Sequence, residues 1–290
     1  GISTVTRCTP LTLVFVLESQ IMLSNKQREF YFENGYLIVE GLLSDEKLGR
    51  VRMALEERYV LEGDQAGSES VHSPGVRRLA NLFSKGRIWE EIAVEPMAIE
   101  VARLTIGNEV RWQAMNFHDP MPGESAAHQA IHADRSFFPH CTGYMNVCWV
   151  IDDMTVENGA TRFVPSSHKG PWPRDVLNDK EACGVIDGEI YTECPAGTAV
   201  FTHGDVWHGG RANYSQSTRR ALHLGFACVN TAPQSEIAGT LTSEIRERLG
   251  KHSALIPGTL ESFGLSKSQF AGRNHLEVID TSNTGKRVQS

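Results

Sequence analysis

The sequence predicts an α+β domain, mainly β, in which a barrel or sandwich of strands carries helices packed on one side. Helical spacing of apolar residues dominates before Gly107, strand-like runs take over after it, and clusters of Gly, Pro and Asn separate those runs. Helices first and strands later is the order of that class rather than of a parallel α/β sheet, in which the two alternate.

Taken in order, Ser24 caps a first helix through Lys26-Gln27-Arg28-Glu29-Phe30-Tyr31-Phe32, Asn34-Gly35 stops it, and Tyr36-Leu37-Ile38-Val39 is a short apolar strand. Ser44-Asp45-Glu46 caps a second helix whose Leu48, Val51, Leu55 and Tyr59 share one face, suited to lie against a sheet. Residues 62–76 are rich in Gly, Ser and charge and read as a mobile loop of the kind that often covers sites. Ile88–Leu104 is helical again, with Ile92, Met97, Ile99, Val101 and Leu104 apolar and an interruption at Pro96. Strands are expected at Val110–Phe117, Tyr144–Ile151, Thr161–Val164, Ala199–Thr202 and Ala221–Asn230, with turns at Pro120-Met121-Pro122-Gly123, Glu157-Asn158-Gly159 and Pro195-Ala196-Gly197. Beyond Thr231, Ser243–Leu249 is helical and the chain turns polar from Thr281. The layout is a single domain over 22–290, its β core at about 107–230 followed by a helical extension at 231–290, with no internal repeat.

The bulk numbers leave room for this core. With 290 residues, 40% hydrophobic and 22% charged, the chain can bury a full interior without staples. A net charge of −7 argues against nucleic acid or an anionic membrane surface as partner, because both need clustered Lys and Arg; a small molecule fits better, and the oligomeric state stays open. Cys8, Cys141, Cys148, Cys183, Cys194 and Cys228 show neither a CxxC pair nor regular spacing, which suits free thiols in a reducing compartment, the cytoplasm. The apolar run Leu11–Leu17 is too short to span a bilayer, and with only Arg7 as positive charge and no small-residue cleavage site it makes a poor signal peptide. Residues 1–21 are read as a leader foreign to the fold, and Met22 as the natural start.

The chemistry concentrates in His132-Ala133-Asp134, followed by His208 and Arg219. Two imidazoles and one carboxylate on one face of a metal, with the other positions open, suit Fe(II) oxygenases, because those positions can take a co-substrate and O₂. Arg219, a planar and permanently charged fork, is the candidate for the far carboxylate of 2-oxoglutarate. A bare HxD triplet is weak evidence, and the chain contains a second, His203-Gly204-Asp205. There Asp205 and His208 lie three residues apart in a turn entering a strand, so no distant strand would close a site, and replacing Asp205 should disturb only that turn. In the first triplet His132 and Asp134 alternate to the same side of an extended segment, and the third ligand arrives from afar. The step from His208 to Arg219 reads as a hairpin: His208 ends one strand, residues 209–213 turn, and Arg219 opens the return strand facing inward, with Arg220 facing out as a solvated charge.

Other residues offer themselves to a substrate. Phe137, Phe138 and His140 follow the triplet where a loop would overhang the metal, and they line a pocket or plug the barrel mouth. Trp207, beside His208, shapes the pocket or packs in the core, and Gln113 and Asn116 are polar residues in an apolar strand that need partners if they face inward. His168 suits a turn better than a metal whose ligand set is already complete.

The stretch Asn158-Gly159-Ala160-Thr161-Arg162-Phe163-Val164-Pro165-Ser166-Ser167-His168 resembles the "ENGAT…PGSH" segment of the phytanoyl-CoA dioxygenase (PhyH-like) family of Fe(II)/2-oxoglutarate oxygenases. Residues 32–43 are similar to that family's "GY…V.G.L" entry, and Trp207-His208-Gly209-Gly210 with Asn213, Ser215 and Arg219 to its "H…N.S…R" close, so the likeness spans roughly Gln27 to Asn230. Two departures stand out: Ser166 replaces the motif's Gly, and Gly210 stands where some members carry a Ser near the co-substrate. The resemblance implies a double-stranded β-helix (a cupin-like jelly roll) with N-terminal helices packed on one sheet. It implies His132, Asp134 and His208 as iron ligands, Arg219 as the 2-oxoglutarate clamp, and Asn146 and Thr161 as further co-substrate contacts. The expected activity is oxidation, chiefly hydroxylation, of an unactivated C–H bond in a small organic molecule, a specialised metabolite, using Fe(II), 2-oxoglutarate and O₂ and releasing succinate and CO₂. The alternatives are an acyl-CoA or lipid-like substrate, for which Arg77, Arg78 and Lys85 could supply basic contacts, and a jelly roll that binds without catalysis. Asp134 speaks against halogenation, in which a halide takes the carboxylate's place.

Overall fold

Ser24 begins the first helix as the sequence predicts. Its hydroxyl accepts the Gln27 N–H while the Gln27 side chain accepts the Ser24 N–H, and helix α1 (Asn25–Asn34) ends at Gly35, whose φ of 81° a side chain would strain. The computed structural model describes residues 4–5, 14–16, 22–69, 75–123, 129–138 and 140–265. Strands β1 (Thr4–Val5) and β2 (Val14–Val16), within the stretch read as a leader, pair with each other, and β2 runs parallel to β3 (Tyr36–Glu40). Helix α2 (Asp45–Glu62) is capped by Ser44 and buries Leu48, Val51 and Leu55. Of the expected loop at 62–76, residues 70–74 fall outside the described residues, and Val76–Leu79 forms strand β4, whose two arginines hide its strand character in the sequence. The interruption at Pro96 is real: α3 (Arg87–Ala93) and α4 (Pro96–Ile106) are separate helices, with Pro96 in the first turn, where its missing N–H costs nothing.

From there the chain winds between two sheets. Strand β5 (Val110–Pro120) lies in the larger sheet, residues 129–132 join the smaller one, and β6 (Tyr144–Val150) returns to the larger. Strands β7 (Thr161–Val164) and β8 (Ile190–Tyr191) are in the smaller sheet, joined through the short helices α5 (Pro173–Val176) and α6 (Asp179–Cys183). Strand β9 (Ala199–His203) is then in the larger sheet, β10 (Trp207–Gly210) in the smaller and β11 (Ala221–Cys228) in the larger. The orders are β1-β2-β3-β9-β6-β11-β5-β4 and β10-β7-β8, antiparallel except for β2 on β3. This alternation is the double-stranded β-helix, and the expected fold class stands.

Strand parity sorts the two cores. Leu37, Val39, Met115, Phe117, Met145, Val147, Trp149, Phe201, Leu222, Leu224 and Phe226 face α2, α3 and α4 in one cluster, which is the helix layer on one sheet. The alternate residues Tyr36, Ile38, Cys148, Val150, Val200 and Ala221 meet Phe163, Ile190 and Val206 between the sheets, with Tyr36 and Phe163 stacked at 5.1 Å. The expected C-terminal helix is α7 (Ser243–Leu249), and the polar tail lies outside the described residues. No described helix is long and apolar enough to cross a membrane. The five described cysteines are unbridged; Cys8 lies outside the described residues.

The hairpin expected between His208 and Arg219 is not formed. Strand β10 pairs with β7 and β11 with β5 and β6, so the connection crosses from one sheet to the other. Asn213 shapes that crossover, donating to the Pro120 and Ser217 carbonyls and accepting from Ser215. Ser166 holds φ 64° where the family motif has Gly, and its hydroxyl and N–H both bond back to the end of α1, at Glu33 and Asn34.

Candidate metal centre and co-substrate pocket

Between the sheets the interior is apolar at one end and polar at the other. From the larger sheet, Asn116 and His118 on β5, Asn146 on β6 and His223 on β11 occupy inward positions of the polar end, with the His118 and His223 rings 4.7 Å apart. From the smaller sheet come His132, Asp134 and His208. A mutual pair of backbone hydrogen bonds, each 2.9 Å, locks His132 opposite His208, and a short 3₁₀ turn beginning at Asp134 then lifts the carboxylate toward both rings.

The two imidazoles are set alike. Nδ1 of His132 meets the Ala130 carbonyl at 2.9 Å, and Nδ1 of His208 meets that of Val206 at 3.0 Å. A carbonyl can only accept, so Nδ1 carries the proton and the Nε2 lone pair is left to face the site. Each Nε2 lies 3.5 Å from Asp134 Oδ1, and the three ligand atoms fall within 4.8 Å of one another. Burial opposes charge on Asp134, yet the positive charge of His208, when it is protonated in the metal-free site, and hydrogen bonding from both rings outweigh it and hold the carboxyl far below the usual carboxylate range. A divalent cation would satisfy the same attraction. Deeper in, burial keeps His118 and His223 neutral, with His223 lowered to about 3, and the Asn146 amide lies 3.1 Å from its Nδ1.

Arg219 is the decisive electrostatic feature. It is buried, its Nε has no hydrogen-bond partner, and among the described residues it forms no ion pair. A guanidinium in that setting calls for an anion from outside the chain. Gly210 lies beside it: a Cβ there would sit 3.5 Å from the guanidinium and 3.6 Å from Gln129 Oε1, so the absent side chain leaves space next to Arg219. Arg220 faces the other way, as expected. It is not a free solvated charge, however, because both Nε and Nη2 bind Asp152, at 2.8 and 2.9 Å.

The profile of the family described as phytanoyl-CoA dioxygenase (PhyH) matches residues 31–221. The chain belongs to the phytanoyl-CoA dioxygenase family. It is 25% identical over 279 residues to the peroxisomal phytanoyl-CoA dioxygenase of Rattus norvegicus, covering 85% of this chain and 82% of that one. It is 27% identical over 182 residues to the dioxygenase af480 of Aspergillus fumigatus, covering 61% and 57%. Among solved structures, the 2-oxoglutarate-dependent carbocyclase SnoK of nogalamycin biosynthesis superposes with a TM-score of 0.60 at 22% identity, over 81% of this chain and 92% of that one. HygX from Streptomyces hygroscopicus, solved with nickel and 2-oxoglutarate, gives 0.59 at 15% identity, over 71% and 88%. These superpositions show the fold. Membership of the PhyH family makes the protein an iron- and 2-oxoglutarate-dependent dioxygenase.

In this PhyH protein the remaining candidates scatter. Phe137 lies against His132, ring centroids 5.6 Å apart, and Phe138 stacks on Tyr144 at 5.5 Å, while His140 is exposed. Thr161 shares strand parity with the inward Phe163 and is paired with Gly210. Trp207 faces away from His208's side of β10, its indole N–H bound to the Pro171 carbonyl, which does not fit a pocket role. Asn116 and Gln113 find partners in the C-terminal segment rather than in a ligand. Asn116 donates to Gln234 and accepts the Asn81 N–H, and Gln113, at a bulge, donates to the Ala232 carbonyl. His168 binds the Phe32 carbonyl, consistent with a turn role. Arg77 is engaged by Asp119 and Lys85 by Glu62 and Glu69, which leaves neither free for the phosphates of an acyl-CoA, while Arg78 is buried on β4 opposite His118.

Sequence reasoning missed His118 and His223, although parity with Arg219 points to His223, four residues along the same strand. It also missed Tyr144, whose hydroxyl fits only because Gly225, diagonally across on β11, has no side chain: a Cβ there would lie 2.6 Å from it. The rival triplet proves more than a turn. Asp205 accepts from Arg135 Nε at 2.8 Å and from the Trp172 indole at 2.7 Å, and the Arg135 N–H binds the Gly204 carbonyl, so Asp205 anchors the residue next to Asp134. We expect Asp205→Ala to cost about 2–3 kcal/mol of stability, from two lost hydrogen bonds to a largely buried carboxylate, and to weaken metal binding about tenfold. Chemical unfolding and a Co(II) titration check both; unchanged metal affinity would reduce Asp205 to a turn former.

Proposed function

We propose that this protein oxidises an unactivated C–H bond of a small organic molecule, a specialised metabolite, with 2-oxoglutarate as co-substrate. His132, Asp134 and His208 would hold Fe(II), and Arg219 would take the distal carboxylate of 2-oxoglutarate. One observation carries the reading: two imidazoles with pinned Nδ1 protons and an ionised carboxylate converge in the same interior as a buried guanidinium that has no ion-pair partner among the described residues.

Fe(II), when bound, would supply O₂ activation coupled to the conversion of 2-oxoglutarate into succinate and CO₂. The chain's own residues do the positioning. The Ala130 and Val206 carbonyls fix the imidazole tautomers, so the Nε2 lone pairs are presented without rearrangement. Arg219 neutralises the far carboxylate in a site too buried for water to do so. Neutral His223, bonded to Asn146, leaves that end polar without adding a competing positive charge, and Asn146 and Thr161 would contact the co-substrate. Phe137, Phe138 and Tyr144 build an aromatic wall on the triplet side that limits water. The specialised-metabolite class is favoured over an acyl-CoA by the ion-paired state of Arg77 and Lys85 and by the likeness to SnoK, from nogalamycin biosynthesis, and to HygX, solved with hygromycin B bound. Unbridged cysteines support a reducing compartment, the cytoplasm.

Anaerobic titration of the metal-free protein with Fe(II) and then 2-oxoglutarate tests the reading. A weak visible charge-transfer band should develop at one equivalent of each and should be lost in Arg219→Ala at matched concentrations. A protein that binds neither would be a jelly roll without catalysis.

A further inference from the structure

Outside the metal centre, two thiols face each other at the end of β11. The sulfurs of Cys141 and Cys228 are 3.5 Å apart although 87 residues separate them in sequence. Cys141 follows the turn that carries Asp134, Phe137 and Phe138, and Cys228 ends strand β11, which follows Arg219 and carries His223. With Tyr144 and Ala227, and with Phe138 packed against them, they form a small cluster of their own. Nothing in the proposed oxygenation uses either thiol.

We propose that Cys141 and Cys228 are a redox-active dithiol that closes to a disulfide on reaction with a hydroperoxide. The surroundings give the two sulfurs different parts. Cys228 is partly exposed and its sulfur lies 3.1 Å from the Thr231 hydroxyl. Burial works against its thiolate, but hydrogen bonds from the Thr231 and Thr142 hydroxyls and the Thr142 backbone outweigh it, lowering the pKa to about 7. Cys141 is fully buried, its thiol directed at the Gly143 carbonyl 3.0 Å away, and burial raises its pKa. Cys228 is therefore the attacking thiol and Cys141 the resolving one.

The chemistry balances with a hydroperoxide as the sole oxidant. The Cys228 thiolate attacks one peroxide oxygen, the O–O bond breaks, and hydroxide leaves to be protonated to water (an alkyl peroxide leaves as its alcohol), giving a sulfenic acid. The Cys141 sulfur then attacks the sulfenic sulfur, the S–O bond breaks, and the hydroxyl departs as water with the Cys141 proton. Two thiols lose two electrons in all. Closure brings the sulfurs from 3.5 Å to a bond of about 2.05 Å, which this register allows with a small movement. The bridge would tie the segment bearing Phe137 and Phe138 to the end of β11. Arg135 extends the tie, because its Nη1 binds the Cys141 carbonyl at 2.9 Å.

The test needs no iron and no substrate. The metal-free, fully reduced protein is treated with stoichiometric hydrogen peroxide, quenched by alkylation, denatured and digested. The expected result is a mass loss of about 2 Da, two fewer titratable thiols than the six of the reduced chain, and one cross-linked peptide pair joining Cys141 to Cys228, all reversed by dithiothreitol. In Cys141→Ser the sulfenic acid at Cys228 should persist and be trapped by a cyclic 1,3-dione, whereas Cys228→Ser should give neither bridge nor adduct. Oxidation that leaves Cys141 and Cys228 unlinked, or a dione adduct absent from Cys141→Ser, would overturn the proposal. Circular dichroism of both variants guards against misfolding, and peroxide treatment of the double variant, expected to retain its four remaining thiols, controls for Cys8, Cys148, Cys183 and Cys194.

Discussion

Asp134→Gly is expected to lower 2-oxoglutarate-dependent succinate formation by about three orders of magnitude or more, roughly 4 kcal/mol at the barrier, while the chain stays folded. Asp134 stands 3.5 Å from both His132 Nε2 and His208 Nε2, so its loss removes one of three converging ligands and the negative charge that organises the other two. The fold should survive, because Asp134 lies in a short turn between the sheets and outside both apolar cores. His208→Ala should match it in turnover and carry an added stability cost, since His208 is buried, stacks on Phe163 at 5.7 Å and bonds Val206. Iron stoichiometry, succinate formation and far-ultraviolet circular dichroism measured together decide the point. An Asp134→Gly protein that binds iron with unchanged affinity would remove the carboxylate from the ligand set.

Arg219→Ala should weaken 2-oxoglutarate binding by about 2–5 kcal/mol, a factor of about 30 to several thousand, because a buried carboxylate would lose a bidentate charged partner. The adjacent Arg220→Ala is the matched control. Its guanidinium holds Asp152 on the opposite face of the strand, so we expect affinity within about twofold of the parent and a stability loss of about 1–3 kcal/mol. Calorimetric titration of Ni(II)-loaded protein with 2-oxoglutarate gives the first quantity and denaturant unfolding the second. Equal losses of affinity at both positions would mean that strand parity does not separate them.

The metal centre was legible for a local reason. His132 and Asp134 are two residues apart on extended chain, the donor types are specific to one kind of metal, and Arg219 differs from Arg220 by a parity that any strand imposes. The helices were legible from caps and spacing, down to the break at Pro96. Hydrogen bonds between sequence neighbours, or within a few residues, decide such features.

Whatever depends on which strand pairs with which was beyond the sequence's reach. A hairpin and a crossover can both carry His208 and Arg219 on inward faces, and the spacing between them is the same in either case. The choice was made by β7, which pairs with β10, and by β5 and β6, which claim β11. Long-range pairing likewise gave Gln113 and Asn116 their partners in the C-terminal segment, turned Asp205 from the acid of a rival triplet into the anchor of Arg135, beside Asp134, and brought Cys141 against Cys228. By itself the sequence determined which groups could hold a metal and clamp a dicarboxylate, because those properties belong to single side chains and to the period of a strand. The tertiary structure alone decided that they meet in one interior, because the winding of the chain between two sheets is set by contacts among residues tens of positions apart.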